Sequence, residues 1–249
     1  MGIKRPDEVE KIRIACKLSK KILIQVSEFL KEGMTTFDIS EFAGTLMEKE
    51  HVKSAFLGYG GYPGLICISV NEEVVHGIPS KNKYIKEGDL VSIDLGIIKD
   101  GYMGDCALTV GVGQISTEVR RLIEVTEKSL DRGISKVKDG CRTGDIGWEI
   151  ETFVEKHNFS VVREFAGHGI GKNLHEEPEI PNFGIPHTGF KLKENMVIAI
   201  EPMINMGKPD LKILPDGWTV ITADGLPSAH FENTVLVKKN GFEILTSVN

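Results

Sequence analysis

Residues 89–113 read DLVSIDLGIIKDGYMGDCALTVGVG, and the fold is decided there. Asp89 to Ile98 alternates as a strand does. Asp100-Gly101 is a hairpin signal, because both residues tolerate the positive φ of a tight turn. A second strand follows through Met103 to Val112. With a two-residue turn at Lys99-Asp100 or at Asp100-Gly101, directly paired positions have numbers that sum to an odd value. Asp94 and Asp105 therefore project to one face of the hairpin. Two carboxylates side by side repel, and a divalent cation makes the arrangement favourable. An aspartate beside a glycine is also ordinary turn chemistry, so the hairpin alone leaves Asp105 open.

Outward from the hairpin, the chain of 249 residues is long enough for one large core or two modest ones. Its net charge of −6 offers no basic footprint for nucleic acid or an anionic membrane. Apolar runs are short, which argues against a membrane span. The N-terminal MGIKRPDEVEKIR lacks the apolar core of a secretory signal, so a cytoplasmic location is expected. Cys16, Cys67, Cys106 and Cys141 show no CxxC spacing and read as reduced thiols.

Pro6 suits a first helical turn, with Asp7 and Glu8 facing the positive end of the dipole. Val9, Ile12, Cys16, Leu23, Val26 and Leu30 recur at helical spacing, predicting a helix that ends near Gly33. Thr36 is the expected cap of a second helix buried through Ile39, Phe42, Ala43, Leu46 and Met47. Helices return at Glu118–Val137 and Asp145–His157, and Asn240-Gly241 signals a closing hairpin.

This order of helices then strands occurs twice. Lys31, Gly33, Thr36, Asp38, Ile39, Thr45, Glu48 and Lys49 reappear 107 residues later as Lys138, Gly140, Thr143, Asp145, Ile146, Thr152, Glu155 and Lys156. Gly77-Ile78-Pro79 and Lys86-Glu87 recur at the same offset. Two similar helix caps can match by convergence, but the Gly-Ile-Pro and Lys-Glu matches lie outside them. The reading is a single domain, residues 1–249, with related halves at about 7–107 and 114–214 and a site at their seam. The offset carries Asp94 onto Glu201 in MVIAIEP.

GHGIGKNLHEEP (Gly167–Pro178) sets His168 and His175 in a glycine-rich loop, and HFENT (His230–Thr234) places Glu232 in a strand. Alone, each has a bland reading: a surface histidine or a solvated glutamate. Together with IDLG, GDCALT, FAGHGIGKNLHEEP, IAIEPM and FENT in this order, the chain resembles the methionine aminopeptidases of the pita-bread fold. The resemblance covers nearly the whole chain and matches the minimal bacterial type I pattern. It implies an α+β fold in which two pseudo-symmetric halves pack helices outside a curved antiparallel sheet.

The resemblance further implies that Asp94, Asp105, His168, Glu201 and Glu232 bind two divalent ions. A hard, oxygen-rich set suits Mn(II), Fe(II) or Co(II), with Zn(II) and Ni(II) as further options. His76 and His175 would flank the scissile amide as catalytic residues, and Glu201 would shuttle the proton. Tyr59, Tyr62, Cys67 and Trp218 match the pocket for the methionine side chain. Phe56, Leu174, Met103 and Cys106 depart from the commoner residues at their positions. Asn71 and Ser228 match positions that hold a monovalent cation, Na or K. The implied partners are N-terminal peptides of nascent proteins, with ribosome contact, and the implied state is a monomer. The rival readings are an Xaa-Pro dipeptidase and a non-catalytic peptide-binding module of the same fold.

Overall fold

A computed structural model describes residues 2–247. The first helix, α1 (Pro6–Phe29), begins at the expected proline and buries Val9, Ile12, Cys16, Leu23 and Val26 along one stripe. It stops at Phe29, four residues short of Gly33, and the glycine instead takes a φ of +85° in the following turn. In α2 (Thr36–Lys49) the cap is Thr35, one residue before the expected Thr36. The Thr35 hydroxyl accepts from the Asp38 amide while the Asp38 carboxylate accepts from the Thr35 amide. Thr36 is buried and accepts from the Ser80 amide.

Strands β1 (Lys53–Ser54), β2 (Cys67–Val70), β3 (Glu73–Val75), β4 (Leu90–Lys99) and β5 (Tyr102–Gly111) follow. The second half opens with α3 (Thr117–Ile134) and α4 (Thr143–Glu155), with boundaries one to three residues earlier than the sequence suggests. Then come β6 (Ser160–Val161), β7 (Ala166–Gly169), β8 (Glu176–Pro181), β9 (Val197–Ile200) and β10 (Met203–Asn205). The chain closes with β11 (Leu211–Ile213), β12 (Val220–Thr222), β13 (Ser228–His230), β14 (Glu232–Lys238) and β15 (Gly241–Ile244). The last turn is Lys239-Asn240, because Lys238 pairs with Gly241, so the glycine begins a strand and does not sit in the turn.

The main sheet is antiparallel, in the order β1-β4-β5-β14-β9-β7-β8, with β2 added on β4 and β15 on β14. Thus β14, near the end of the chain, lies between β5 of the first half and β9 of the second. Lys99 pairs with Tyr102, which makes Asp100 (φ +50°) and Gly101 (φ +77°) the two turn residues of the central hairpin. The hairpin packs closely on α1. A Cβ at Gly104 would lie 2.4 Å from the Ala15 carbonyl carbon, so only glycine lets the two backbones approach. One apolar core joins α1 and α2 to β4 and β5 through Leu23, Ile39, Ile93 and Cys106. A second joins α3 and α4 to β9 and β14 through Leu122, Ile150, Ile198 and Val235. Burial at these positions drives both layers together.

Backbone bonds recur at the offset read from the sequence. The Gly33 amide donates to the Ile85 carbonyl and the Gly140 amide to Leu192, at 2.9 and 3.0 Å. Ile85 donates to Met34 and Leu192 to Cys141, both at 2.8 Å. Thr35 bridges Tyr84 as Arg142 bridges Lys191.

Candidate metal centre and pocket

Sheet register brings the acidic residues to one place. Asp94 on β4 pairs with Ala107 on β5, and Ala107 pairs with Glu232 on β14. Asn233 pairs with Ile200, so extending that register by one residue sets Glu201, just past β9, beside Glu232. Asp105 is two residues along β5 from Ala107, hence on the same face. His168 on β7 precedes Gly169, which pairs with Ile198 on β9. Four neighbouring strands and the edge of a fifth thus aim their polar side chains into one cavity, together with His76, His175, Tyr59, Tyr62, Cys67 and Trp218. Every residue named from the sequence for the divalent ions, for catalysis or for the methionine pocket lines that cavity.

Ligand-type atoms of Asp105, His168 and Glu232 lie within 4.8 Å of one another, with Asp94 and Glu201 on the same walls. One oxygen each of Asp94, Asp105 and Glu232 is buried without a hydrogen-bond partner. A buried, unsatisfied acceptor costs about 1–3 kcal/mol, and more when charged. Burial first, then repulsion from Asp105 and Glu201, holds the Asp94 and Glu232 carboxyls well above the usual range. Burial also pushes Asp105 up to about 7, with Glu201 adding to the push and His168 opposing it. Glu201 departs from this pattern. Burial raises it, but His230 first and then His168 outweigh burial and keep it below the ordinary value. The orphaned oxygens and raised carboxyls fit a group of divalent cations, which would partner the oxygens and hold all four acids ionised.

His168 is prepared for the same task. Its Nδ1 lies 3.0 Å from the Gly169 carbonyl, which can only accept, so Nδ1 carries the proton and the Nε2 lone pair is free. Nε2 stands 3.5 Å from Glu201 Oε1. His175, at the mouth, meets His168 edge-on at 4.3 Å, and its Nδ1 lies 2.8 Å from the Tyr59 hydroxyl. Burial, then His168, pushes His175 down to about 4, so the ring is neutral at pH 7. His76, at φ +60°, is lowered by burial as well and stacks edge-on against Phe165 and Trp218.

The remaining wall is apolar. Tyr62 and Trp218 meet edge-to-face at 5.2 Å, and the Tyr62 hydroxyl donates to the Gly77 carbonyl at 3.0 Å. Burial, then Asp94, raises Cys67 well above its ordinary value, leaving a neutral thiol. Phe56 and Leu174 are buried in the same wall. The Phe56 ring lies where a Cβ at Gly96 would fall, 2.5 Å from that position. Cys106 turns away from Asp105 towards α1, with Sγ 3.0 Å from Ser19 Oγ, and Met103 packs in the apolar cluster that includes Leu174. Asn71 and Ser228 lie at another junction, where the Ser228 amide donates to the Asn71 carbonyl at 2.9 Å.

His230 and Phe165 were not legible as site residues. His230 is 2% exposed, and its Nε2 sits unpartnered 3.6 Å from Glu201 Oε2. The available signal was its place two residues before Glu232, which puts both on one side of an extended chain. Phe165 carries no comparable signal; only the packing of its ring on His76 reveals it.

The fold and this oxygen-rich pocket define a metal-dependent peptidase class. The model of metallopeptidase family M24 matches residues 10–239, and the chain belongs to that family. A methionine aminopeptidase of Clostridium acetobutylicum is 46% identical over 244 residues, covering 98% of each chain. The solved methionine aminopeptidase of Thermotoga maritima matches with a TM-score of 0.97 and 44% identity, covering 99% of each. The prolidase of Pyrococcus furiosus shares the fold at 26% identity and a TM-score of 0.80, with 66% of its chain covered. The expected α+β pita-bread architecture is therefore the observed one. No helix among the described residues is long and apolar enough to cross a membrane.

Proposed function

We propose that this chain is a metal-dependent aminopeptidase that removes methionine from the N-termini of polypeptides. The observation that carries the reading is the convergence of Asp94, Asp105, His168, Glu201 and Glu232, three of them with orphaned oxygens, beside a largely apolar wall. These five residues would hold two divalent ions, with Mn(II), Fe(II) or Co(II) best suited to the donor set and Zn(II) or Ni(II) as substitutes. Bound there, the ions supply Lewis-acid stabilisation and acidify water.

The chain's own residues do the rest. Glu201, kept ionised by the surrounding histidines, takes a proton from the attacking water and passes it to the leaving amine. Neutral His175 hydrogen-bonds the scissile carbonyl oxygen as negative charge develops on it. His76, between Phe165 and Trp218, contacts the peptide nitrogen side. Tyr59, Tyr62, Cys67 and Trp218, with Phe56 and Leu174, surround the thioether with aromatic edges and a neutral thiol. Beyond the scissile bond the peptide leaves past Phe165 and Met203, with a small second residue preferred.

The matched backbone bonds at the 107-residue offset support a single catalytic domain of two related halves. The reading extends to a monomer acting in the cytoplasm on nascent chains at the ribosome, with Na or K beside Asn71 and Ser228. Chelator-treated protein reloaded with Mn(II) or Co(II) should release methionine from Met-Ala-Ser and leave Ala-Pro intact. Cleavage of Ala-Pro alone would assign a prolidase. Loss of all cleavage, with no metal retained, would assign a binding module.

A further inference from the structure

We infer that Tyr59 is a positioning residue that fixes the tautomer of His175, placing the ring proton on Nε2, the nitrogen left to face the cavity. The inference rests on the role proposed for His175 above. It concerns the neutral ring, in which one nitrogen donates and the other accepts.

The two histidines of the glycine-rich loop differ in what holds Nδ1. At His168 the partner is a carbonyl, which leaves no choice of direction. At His175 it is a phenol 2.8 Å away, a group that can donate or accept. Three observations choose the direction. A phenol is more acidic than a neutral imidazole N–H, so O–H···N is the favoured pairing. The Tyr59 hydroxyl has no other acceptor among the described residues. And His175 Nε2 makes no hydrogen bond among the described residues, which leaves it for a ligand.

Both ends of the bond are held in advance. Tyr59 rides a turn with Gly58, Gly60 and Gly61 at φ +82°, +56° and +91°, and Ser54 Oγ ties that turn by accepting from the Phe56 and Leu57 amides. On the opposite side, Glu176 Oε1 accepts from the Lys172 and Asn173 amides at 3.0 and 3.2 Å. The other Glu176 oxygen pairs with Lys4, from the segment before α1. With both loops tied, the phenol and imidazole meet without ordering flexible chain, so the bond acts as a fixed orienting contact. An Nε2–H directed at the cavity is what a hydrogen bond to a carbonyl oxygen requires; an Nε2 lone pair would repel that oxygen.

The test is a long-range 15N–1H spectrum of the full chain with labelled histidine, chelator-treated and again loaded with diamagnetic Zn(II). Wild type should show the Nε2–H pattern at His175 in both states, and Tyr59→Phe should show a mixture or the Nδ1–H pattern. On Met-Ala-Ser, Tyr59→Phe should lose roughly three- to tenfold in kcat, with KM and metal content unchanged. Tyr59→Phe keeps the ring, so a purely packing role predicts wild-type kcat and an unchanged spectrum; either result overturns the inference. An Nδ1–H pattern in wild type overturns it directly. If wild type shows the Nε2–H pattern yet cleaves no methionyl peptide, the proposed function fails while the tautomer assignment stands.

Discussion

On the floor of the cavity, Asp94, Asp105 and Glu232 each hold a buried oxygen with no hydrogen-bond partner among the described residues. On its wall, Tyr62 donates to a backbone carbonyl, Tyr59 meets His175, and Trp218 packs edge-on against Tyr62 and His76. The floor is built for a partner that the polypeptide does not contain, whereas the wall completes itself. The difference teaches which part of the site should answer to metal and pH, and which should answer only to substrate.

Asp105→Asn breaks the floor most severely. It should lower turnover about a thousandfold or more and reduce bound metal, both measurable on one preparation. The same variant should melt higher than wild type once chelated, because one repelling carboxylate is gone. A lower melting temperature in that state would contradict the picture of a frustrated floor.

His175→Ala touches the wall alone. About a hundredfold loss of kcat is expected, with metal content and Tm close to wild type. Metal loss in this variant would merge the two regions.

Chelation itself should lower Tm by about 5–10 °C, the linkage expected when a ligand near 100-fold over its Kd is withdrawn from a domain of this size. The chelated protein should also lose stability as pH rises from about 4 towards 7. Asp94, Asp105 and Glu232 have raised folded-state values, Asp105 about 7. Their protonated forms favour the folded state, so the gain is complete below the unfolded pKa near 4 and disappears as pH climbs. Metal should flatten that slope, and calorimetry across pH with and without Mn(II) would show it.

The smallest effect belongs to Tyr62→Phe. Removing the hydroxyl takes away one of the two donors to the Gly77 carbonyl and leaves the Ile68 amide, a loss of about 1 kcal/mol, or roughly 2–4 °C in Tm. The pH slope of the chelated protein should stay as in wild type.

Much of the floor was legible because its geometry is local. A two-residue turn fixes parity, and parity alone put Asp94 and Asp105 on one face. The helix boundaries erred by a few residues because caps answer to tertiary partners: Thr36, read as a cap, is taken up by Ser80. The place of Glu201 beside Glu232 depends on the pairing of β14 with β9, which no local pattern encodes. His230 escaped notice for the same reason, although it stands next to a recognised block. Resemblance placed Tyr59 and His175 in the pocket, but their direct contact links residues 116 apart in the chain and became visible only in three dimensions.

The position of β14 has a consequence for the life of the molecule. It is the plank between the strands of the first half and those of the second, and it also carries Glu232. During synthesis the emerging polypeptide therefore cannot assemble this centre until β14, and the Glu232 it carries, has left the translating machinery. Before that point the site lacks both Glu232 and the strand that joins its two halves.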